Sequence, residues 1–230
     1  MKLSTLPKAL VFDLDGTLAH TLPQLSMATN DTLRELGIRE LPLDVVGSYV
    51  GNGVNYLISR SIKNDFACSP DDLDPELMRR AREIFNRCYK NILDTNFRVF
   101  DGVSDGLAYF RSRGIVLLVL TNKAHYFARP LLGFMGIDSY FDEIMGSEVI
   151  KERKPDPAPL LYLLERHNLK PGECVMVGDS MNDLQCARNA GACSVIFTYG
   201  YHGSTDIRQC GADYIFDTFG ELTDLIRGIN

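Results

Sequence analysis

Three short apolar runs along the chain contain almost no polar interruption, and each one ends at residues that can carry chemistry. The runs are KALVF at 8–12, IVLLVL at 115–120 and CVMV at 174–177. Asp13 follows the first run, Thr121 follows the second, and Gly178 and Asp179 follow the third. A strand that is buried on both faces requires continuous hydrophobicity rather than alternation. The runs therefore predict strands of a parallel sheet.

Helical patterns alternate with these runs and with two further strand-like segments. Apolar residues at helical spacing occur in 103–110, 158–167 and 184–190, and β-prone segments occur at 194–198 and 213–216. Strands that alternate with helices through short turns indicate an α/β protein. We therefore expect a doubly wound, Rossmann-like parallel sheet.

Residues 18–97 break this alternation because they contain only helical patterns. The segments with helical spacing are 22–36, 54–62 and 77–92, and the last of them carries a clear apolar stripe. We find no convincing strand in this part of the chain. The pattern therefore predicts an all-helical cap domain of residues 18–97, inserted between the first and second strands of a core domain formed by residues 1–17 and 98–230.

The composition is that of an ordinary globular protein and argues against several functional classes. The 230 residues suit one large domain or a domain with an insertion, and 24 basic against 30 acidic residues give a net charge of -6. This charge disfavours a polybasic nucleic-acid binder, and no apolar run approaches the ~20 residues of a membrane helix. We expect a cytoplasmic monomer or homodimer without nucleic-acid or membrane partners, because the N-terminus lacks a signal-peptide pattern and the six cysteines form no C-x-x-C pair.

The first candidate for chemistry is the sequence DLDGT, at the end of a predicted strand, where parallel sheets bind ligands. Asp13 and Asp15 are separated by one residue, so their side chains would lie on the same side of a regular strand. Gly16 then permits a sharp turn that lets backbone N–H groups face an anion. Oxygen ligands with an open coordination site suit Mg²⁺ rather than zinc.

A second acidic pair follows the strand at 174–177. Asp179 ends this strand, and Asp183 falls in the first turn of the next helix, where the helix dipole favours a negative charge. Both side chains can point at the same metal ion or at its waters. After the strand at 115–120, Thr121 offers a hydroxyl and Asn122 a backbone N–H to phosphate oxygens.

Lys154, in the sequence KPDP, supplies a cation to these acidic residues. Four ionised aspartates, one Mg²⁺ and Lys154 leave about one negative charge in excess. We therefore expect one carboxyl group of the cluster to be protonated, because like charges nearby raise its pKa. A protonated carboxyl group can donate its proton to a leaving alkoxide.

Taken in order, VFDLDGTL, VLTNK, KPDP and VGDSMND resemble the four motifs of the haloacid dehalogenase superfamily of aspartate-nucleophile phosphohydrolases. The resemblance covers nearly the whole chain, and the helical insertion after the first motif is similar to the cap domain of that superfamily. Within the superfamily, VGNGV at 50–54 and the TNK string most resemble bacterial phosphoglycolate phosphatases. The resemblance implies a Mg²⁺-dependent phosphomonoesterase for a small phosphorylated metabolite, with 2-phosphoglycolate as the leading substrate.

The resemblance also implies roles for the acidic residues. Asp13 is similar to the nucleophile that forms an aspartyl phosphate, and Asp15 to the acid for the leaving oxygen, which then acts as base for water. Mg²⁺ would be held by Asp13, the Asp15 carbonyl and Asp179, with Asp183 orienting the metal site directly or through water.

The remaining expected contacts are those of the substrate. Phosphoryl oxygens would bind to Thr121, to the Asn122 N–H and to Lys154.

In the cap, the segment Gly51, Asn52 and Gly53 lets backbone approach a small carboxylate at the start of the helix that begins near Val54. Arg60 is a possible partner of that carboxylate, or alternatively an ordinary surface charge. One departure concerns His20, which stands where relatives carry an acidic residue; we expect an ordinary surface histidine there, with a hinge or a substrate contact as the alternative.

Other functions remain compatible with these residues. An aspartyl phosphate intercepted by a sugar hydroxyl would make the protein a phosphomutase, and hydrolysis of another sugar phosphate or of pyrophosphate is also open. A receiver-like signalling module also combines an acidic metal site, a phosphorylatable Asp, a Thr and a Lys on a parallel sheet, and fold analogy does not exclude it. The DxDGT string and the insertion of some eighty residues between the first two strands argue against it.

Overall fold

The computed structural model of the chain describes residues 2–203 and 205–229. Its strands are β1 Ala9–Phe12, β2 Ala19–His20, β3 Arg98–Val99, β4 Val116–Ala124, β5 Glu143–Ser147, β6 Cys174–Gly178, β7 Cys193–Phe197 and β8 Tyr214–Phe216. Six of them form one sheet in the order β5-β4-β1-β6-β7-β8, in which every neighbouring pair is parallel. The predicted doubly wound parallel sheet is thus confirmed. The winding reverses at β1, which lies between β4 and β6, and this is where such sheets bind ligands.

Helices cover both faces of this sheet. The α-helices of the described residues are α1 Leu22–Glu35, α2 Leu43–Ser48, α3 Val54–Lys63, α4 Pro75–Asn91, α5 Val103–Ser112, α6 His125–Phe134, α7 Ala158–Arg166, α8 Met181–Ala190 and α9 Phe219–Arg227. Leu10 and Phe12 of β1 belong to an apolar cluster that includes Phe219 of α9, whereas Ala9 and Val11 belong to a cluster with residues of α7 and α8. Alternate residues of a strand point to opposite faces, so β1 is apolar throughout because both faces are buried.

The helices α1, α3 and α4 lie between β1 and β4 in the chain, as the helical patterns predict, together with α2, which was not predicted. Helices α1 and α4 pack through buried apolar residues that include Leu25, Ala28, Ala81 and Phe85. The division into a core and a cap stays a prediction, but a feature of the fold lies at both of its boundaries. Strands β2 and β3 pair antiparallel, with Ala19 opposite Val99, so the two chain segments that lead into and out of the helices run side by side.

The expectation that residues 18–97 contain no strand is wrong at their start, where β2 lies. A strand of two residues is too short to produce an alternating pattern. The edge strand β5 and the helices α2 and α6 also went unpredicted. The second strand of the sheet was predicted to end at Leu120, but β4 continues to Ala124, which pairs with Ser147 after an irregularity in the register. No helix of residues 2–203 and 205–229 is both long and apolar enough to cross a membrane.

Candidate active site

Lys154 is the centre of a buried ion-pair network at the carboxyl ends of β1 and β6. Its side chain is 2% exposed, and its Nζ lies 2.9 Å from Oδ1 of Asp13 and 2.7 Å from Oδ1 of Asp183. The same Nζ donates to the Leu120 carbonyl at 2.7 Å. Three predicted site residues from distant parts of the sequence are therefore in direct contact.

Asp179 completes an acidic cluster with two of these residues. Carboxylate oxygens of Asp13, Asp179 and Asp183 all lie within 4.8 Å of one another. The hydroxyl of Thr17 donates to Asp179 Oδ1 at 2.6 Å, and the backbone N–H of Tyr201 donates to Oδ2 at 2.6 Å. The Asp179 side chain is therefore held in one orientation, toward the cluster.

The cluster carries more negative charge than Lys154 balances. Burial raises the pKa of Asp13 to about 6, with Lys154 opposing the rise and Asp183 adding to it. Burial, and then the charges of Asp183 and Asp13, raise the pKa of Asp179 well above its usual range. Although burial alone would lower the pKa of Lys154, the charges of Asp13 and Asp183 raise it. A hard divalent cation would relieve this repulsion, and a set of carboxylate oxygens fits Mg²⁺.

The start of α8 fixes the position of Asp183. Its Oδ2 accepts from the Ser180 hydroxyl at 2.7 Å, from the Ser180 N–H at 3.1 Å and from the Asp179 N–H at 3.3 Å. This is a capping arrangement, in which the third helical residue satisfies backbone N–H groups before the helix. Its Oδ1 remains directed at Lys154. The prediction that Asp183 lies in the first helical turn is confirmed.

Gly16 and Gly178 allow the backbone to approach the acidic side chains closely. A Cβ at Gly16 would lie 2.3 Å from Asp179 Oδ2, and Gly16 has a φ of +86°, where other residues are strained. A Cβ at Gly178 would lie 2.2 Å from Cγ of Asp183. The glycines of both motifs are therefore required by the packing of the carboxylates.

Asp15 forms a second buried ion pair, with Lys123, which sequence reasoning missed. Lys123 Nζ lies 3.1 Å from Oδ1 and 3.0 Å from Oδ2 of Asp15, and its side chain is 4% exposed. The Thr21 hydroxyl donates to Oδ1 of Asp15 at 2.7 Å. Burial alone would lower the pKa of Lys123, but Asp15 and Tyr89 together raise it.

Lys123 also changes the charge balance expected from the sequence. The sequence predicted one negative charge in excess because Lys154 was the only cationic side chain considered, and this prediction is wrong. Lys154, Lys123 and a divalent cation together would balance the four aspartates. One signal was available in the sequence. Had β4 been extended past Leu120, period-two alternation would have placed Lys123 on the same side as Thr121.

Asn122 and the Gly51 segment join the sheet to the beginning of α3. The Asn122 side-chain amide donates to the Lys154 carbonyl at 2.9 Å and to the Gly51 carbonyl at 3.0 Å. The Asn182 amide also donates to the Gly51 carbonyl, at 3.1 Å. Gly53 has a φ of +86°, and a Cβ there would lie 3.2 Å from the Asn122 carbonyl oxygen. The segment before α3 thus docks against Asn122 of β4 and Asn182 of α8.

Of the predicted site residues, Arg60 contacts Asn52 rather than the acidic cluster. Its residue surface is 7% exposed, so the reading of Arg60 as a surface charge is wrong. Nη1 donates to the Tyr49 carbonyl at 3.2 Å and to Asn52 Oδ1 at 3.1 Å, and the guanidinium carbon lies 4.4 Å from the centre of the Phe66 ring. Burial lowers its pKa. Arg60 therefore supports the segment around Asn52 from behind.

His20 is half-buried rather than an ordinary surface residue. Its Nδ1 lies 2.8 Å from the Tyr201 hydroxyl oxygen, which also accepts from the N–H groups of Thr21 and Leu22 at 2.9 and 3.0 Å. Burial, with help from the charge of Arg98, lowers the pKa of His20. Tyr201 thus connects the start of α1 to Asp179, since its own N–H binds that carboxylate.

A small cavity lies beside Asp13 and Asp15. The volume of this cavity is about 50 Å³. The polar residues at one end are Asp13, Asp15, Thr121, Asn122 and Lys123. The walls are mainly apolar and come from Leu25, Val50, Val54, Leu57, Phe85, Tyr89 and Phe127. Gly51 and Gly53 line the cavity, whereas Asn52 and Arg60 do not.

The arrangement is suited to phosphoryl chemistry. The Asp13 side chain is 14% exposed and faces the cavity, so its carboxylate can reach a bound electrophile. Asp15 lies in the same cavity as a candidate for proton transfer. Lys154, the Thr121 hydroxyl and the acidic cluster with a bound cation would supply positive charge and donors to phosphoryl oxygens.

Comparisons with known proteins point to the same chemistry. The family model of the haloacid dehalogenase-like hydrolases matches residues 10–197. Proteins named phosphoglycolate phosphatase from Nitrosospira multiformis and Colwellia psychrerythraea are 40% and 39% identical to this chain, over 96% and 94% of its length and 96% and 95% of theirs. The crystal structure of a predicted phosphoglycolate phosphatase from Haemophilus somnus is similar with a TM-score of 0.88 and 32% identity, covering 98% of this chain and 99% of the other.

Proposed function

The chain belongs to the haloacid dehalogenase-like hydrolase family, and we propose that it is a Mg²⁺-dependent phosphatase that hydrolyses 2-phosphoglycolate through an aspartyl phosphate on Asp13. It is a phosphoric monoester hydrolase, as its relatives are. The observation that carries the finer proposal is the contact of Asp13 with Lys154 beside Asp179 and Asp183, next to a cavity that Asp13 and Asp15 line.

In the first step, a carboxylate oxygen of Asp13 forms a bond to phosphorus, and the bond from phosphorus to the ester oxygen breaks. Lys154 holds the Asp13 carboxylate at 2.9 Å and so limits its rotation away from the phosphoryl group. Asp15 gives a proton to the departing alkoxide, which leaves as an alcohol. In the second step, water attacks the phosphorus, Asp15 takes up a proton from that water, and Asp13 is released with inorganic phosphate.

Two contacts hold the Asp15 side chain in place. Lys123 Nζ lies 3.1 and 3.0 Å from its carboxylate oxygens, and the Thr21 hydroxyl donates to Oδ1 at 2.7 Å. Lys123 and Thr21 therefore keep Asp15 in one position through both steps.

Asp13, Asp179 and the Asp15 carbonyl would hold Mg²⁺, with Asp183 positioned beside them. When bound, Mg²⁺ supplies positive charge to the phosphoryl oxygens and to the crowded carboxylates. Thr121, the Asn122 N–H and Lys154 would provide the remaining donors to the phosphoryl group.

The cavity favours a substrate without sugar hydroxyls. Its walls are mainly apolar and offer few partners for such hydroxyls. Gly51 and Gly53 would bring backbone next to the carboxylate end of the substrate, while Asn52 and Arg60 would hold that segment from behind. The names of the relatives support 2-phosphoglycolate in particular.

The enzyme is proposed to work in the cytoplasm as a monomer or homodimer. The six cysteines form no disulfide among the described residues, and four of them are buried, which suits a reducing compartment. Its partner in this proposal is a small phosphorylated metabolite rather than a nucleic acid or a membrane.

Release of inorganic phosphate from a panel of substrates tests the proposed function. The panel contains 2-phosphoglycolate, glucose 6-phosphate, glucose 1-phosphate and pyrophosphate, each with Mg²⁺ and with EDTA. We expect the largest kcat/KM for 2-phosphoglycolate and loss of activity in EDTA. An isomeric sugar phosphate with little free phosphate would identify a mutase, and a phospho-Asp lasting minutes without turnover would identify a signalling module. Absence of phosphate release from every compound would contradict the proposal.

A further inference from the structure

Lys123 is the one cationic side chain among the described residues that line the cavity. Of the lining residues, only Asp13, Asp15 and Lys123 carry a charge, and Lys154 lies behind Asp13 rather than on the wall. A substrate that carries a second anionic group besides its phosphate would therefore find one positively charged side chain in the cavity, that of Lys123.

The surroundings of Lys123 place this charge at the border between the polar end and the apolar wall. Its Nζ contacts Asp15 on one side, at 3.0 and 3.1 Å, and lies 4.6 Å from the centre of the Tyr89 ring on another. Tyr89 belongs to α4 and packs against Phe127, with ring centres 4.9 Å apart. The ammonium group is therefore held between the predicted core and a helix of the predicted cap.

The position of Lys123 along β4 matches the shape of a short bifunctional substrate. Thr121, a candidate phosphate ligand, and Lys123 are two residues apart on β4, and both line the cavity. In 2-phosphoglycolate, one ester oxygen and one methylene group separate the phosphorus from the carboxylate carbon. A substrate with its phosphate at Asp13 and Thr121 can thus present its carboxylate next to Lys123.

Arg60, the cation predicted from the sequence for this task, is engaged elsewhere. Its Nη1 donates to the Tyr49 carbonyl and to Asn52, its guanidinium packs on the Phe66 ring, and it does not line the cavity. A carboxylate in the cavity would have to displace these contacts to reach it.

We infer that Lys123 is the specificity residue of this enzyme: it binds the carboxylate of a short phosphorylated hydroxy acid while holding Asp15, so that one ammonium group serves both the leaving-group acid and the second anion of the substrate. This inference rests on the proposed phosphatase function. A carboxylate that enters the apolar cavity loses its hydration, and only a charged partner compensates this loss. A substrate without the carboxylate does not need a charged partner there.

The test compares 2-phosphoglycolate with ethyl phosphate, in which a methyl group replaces the carboxylate. Replacement of Lys123 by Met keeps the length and apolar character of the stem and removes the charge. Because Lys123 also holds Asp15, K123M will lower kcat with both compounds. The inference predicts an additional loss with 2-phosphoglycolate alone, mainly as a higher KM, so that the kcat/KM ratio of the two compounds falls about 10- to 100-fold.

Three further variants sharpen this comparison. K123Q, which keeps polar hydrogen-bonding groups but no charge, should shift the ratio in the same direction and provides a second measurement if K123M folds poorly. R60M tests the other cation. The matched control is K8M, because Lys8 is 64% exposed, pairs with Glu173 and does not line the cavity; it should leave the ratio of the two compounds within about threefold of the wild-type ratio.

The outcomes separate this inference from the proposed function. If wild-type protein hydrolyses neither compound with Mg²⁺, the proposed function fails. If it hydrolyses both, but K123M and K123Q lower kcat/KM by the same factor for each, Lys123 only positions Asp15 and the inference is overturned. A fall in the ratio in R60M and not in K123M would move the carboxylate contact to Arg60.

Discussion

Replacement of Lys154 by Met is expected to destabilise the metal-free protein strongly. The two side chains have similar length, so the stem is preserved while the contacts of Nζ with Asp13, Asp183 and the Leu120 carbonyl are lost. Removal of one partner of a buried ion pair costs about 3–5 kcal/mol, because the remaining charge is left without compensation. For a chain of this size, about 1 kcal/mol lowers Tm by about 2–4 °C, so we expect a decrease of about 6–20 °C.

The control for this variant is Lys8→Met. Lys8 also pairs with a carboxylate, Glu173 at 2.7 Å, but its side chain is 64% exposed. An exposed pair contributes about 0–1 kcal/mol, so Tm of this control should change by a few degrees at most. Thermal unfolding followed by circular dichroism in EDTA at pH 7.5 measures both variants. Equal Tm values for the two variants would refute the electrostatic account of the Lys154 network.

Mg²⁺ and pH should modulate the effect of Lys154→Met in a defined direction. Mg²⁺ is expected to reduce the difference in Tm between K154M and wild type, since it places positive charge next to the same carboxylates. The folded-state pKa of Asp13, about 6, lies above its ordinary value of 3.8, so ionisation of this group destabilises the folded metal-free protein as pH rises through that interval. The decrease in stability caused by K154M should therefore be larger at pH 8 than at pH 5.

Two further predictions concern the metal site. Gly16→Ala should abolish most Mg²⁺-dependent phosphate release, because a Cβ at this φ of +86° would lie 2.3 Å from Asp179 Oδ2. Gly37→Ala is the control, since Gly37 has a similar φ of +72° but no atom within 4 Å of the added Cβ. This control should lose about 1–2 kcal/mol of stability in urea unfolding and keep wild-type kcat. Mg²⁺ affinity measured by calorimetry should weaken from pH 7.5 to pH 5.5, since burial raises the pKa of Asp13 to about 6 and protons then compete with the metal; equal affinities at both values would contradict this assignment of the ligands.

The sequence predicted the site best where residues follow strands that are buried on both faces. Asp13 and Asp179 follow β1 and β6, which are neighbours in the parallel sheet, so their convergence follows from the topology. Asp183 was predictable because a helix that starts after a short turn points its first-turn acid back at the strand end. Lys154 was predictable only as a missing cation, since it comes from a loop whose path no local pattern defines.

Lys123 and Arg60 show what the sequence pattern did not reveal. Lys123 was given no role because the second apolar run was taken to end at Leu120, whereas β4 continues to Ala124 with an irregular register. Arg60 was predicted to be a surface charge or a substrate ligand, and its burial depends on Phe66 and on the segment around Asn52, which are brought to it by the fold. Long-range packing of this kind leaves no periodic signal in the chain.

The most direct test of the central claim, that Asp13 accepts phosphorus, uses Asp15→Asn protein with acetyl phosphate and Mg²⁺. Acetate leaves without a proton, so the first step should proceed without an acid at position 15, whereas water has no base for the second. Mass spectrometry of the acid-quenched protein should then find one phosphoryl group, located on Asp13, and none in a variant that also carries Asp13→Asn. Turnover of acetyl phosphate by wild-type protein, together with an unmodified Asp13 in the Asp15→Asn variant, would contradict the account.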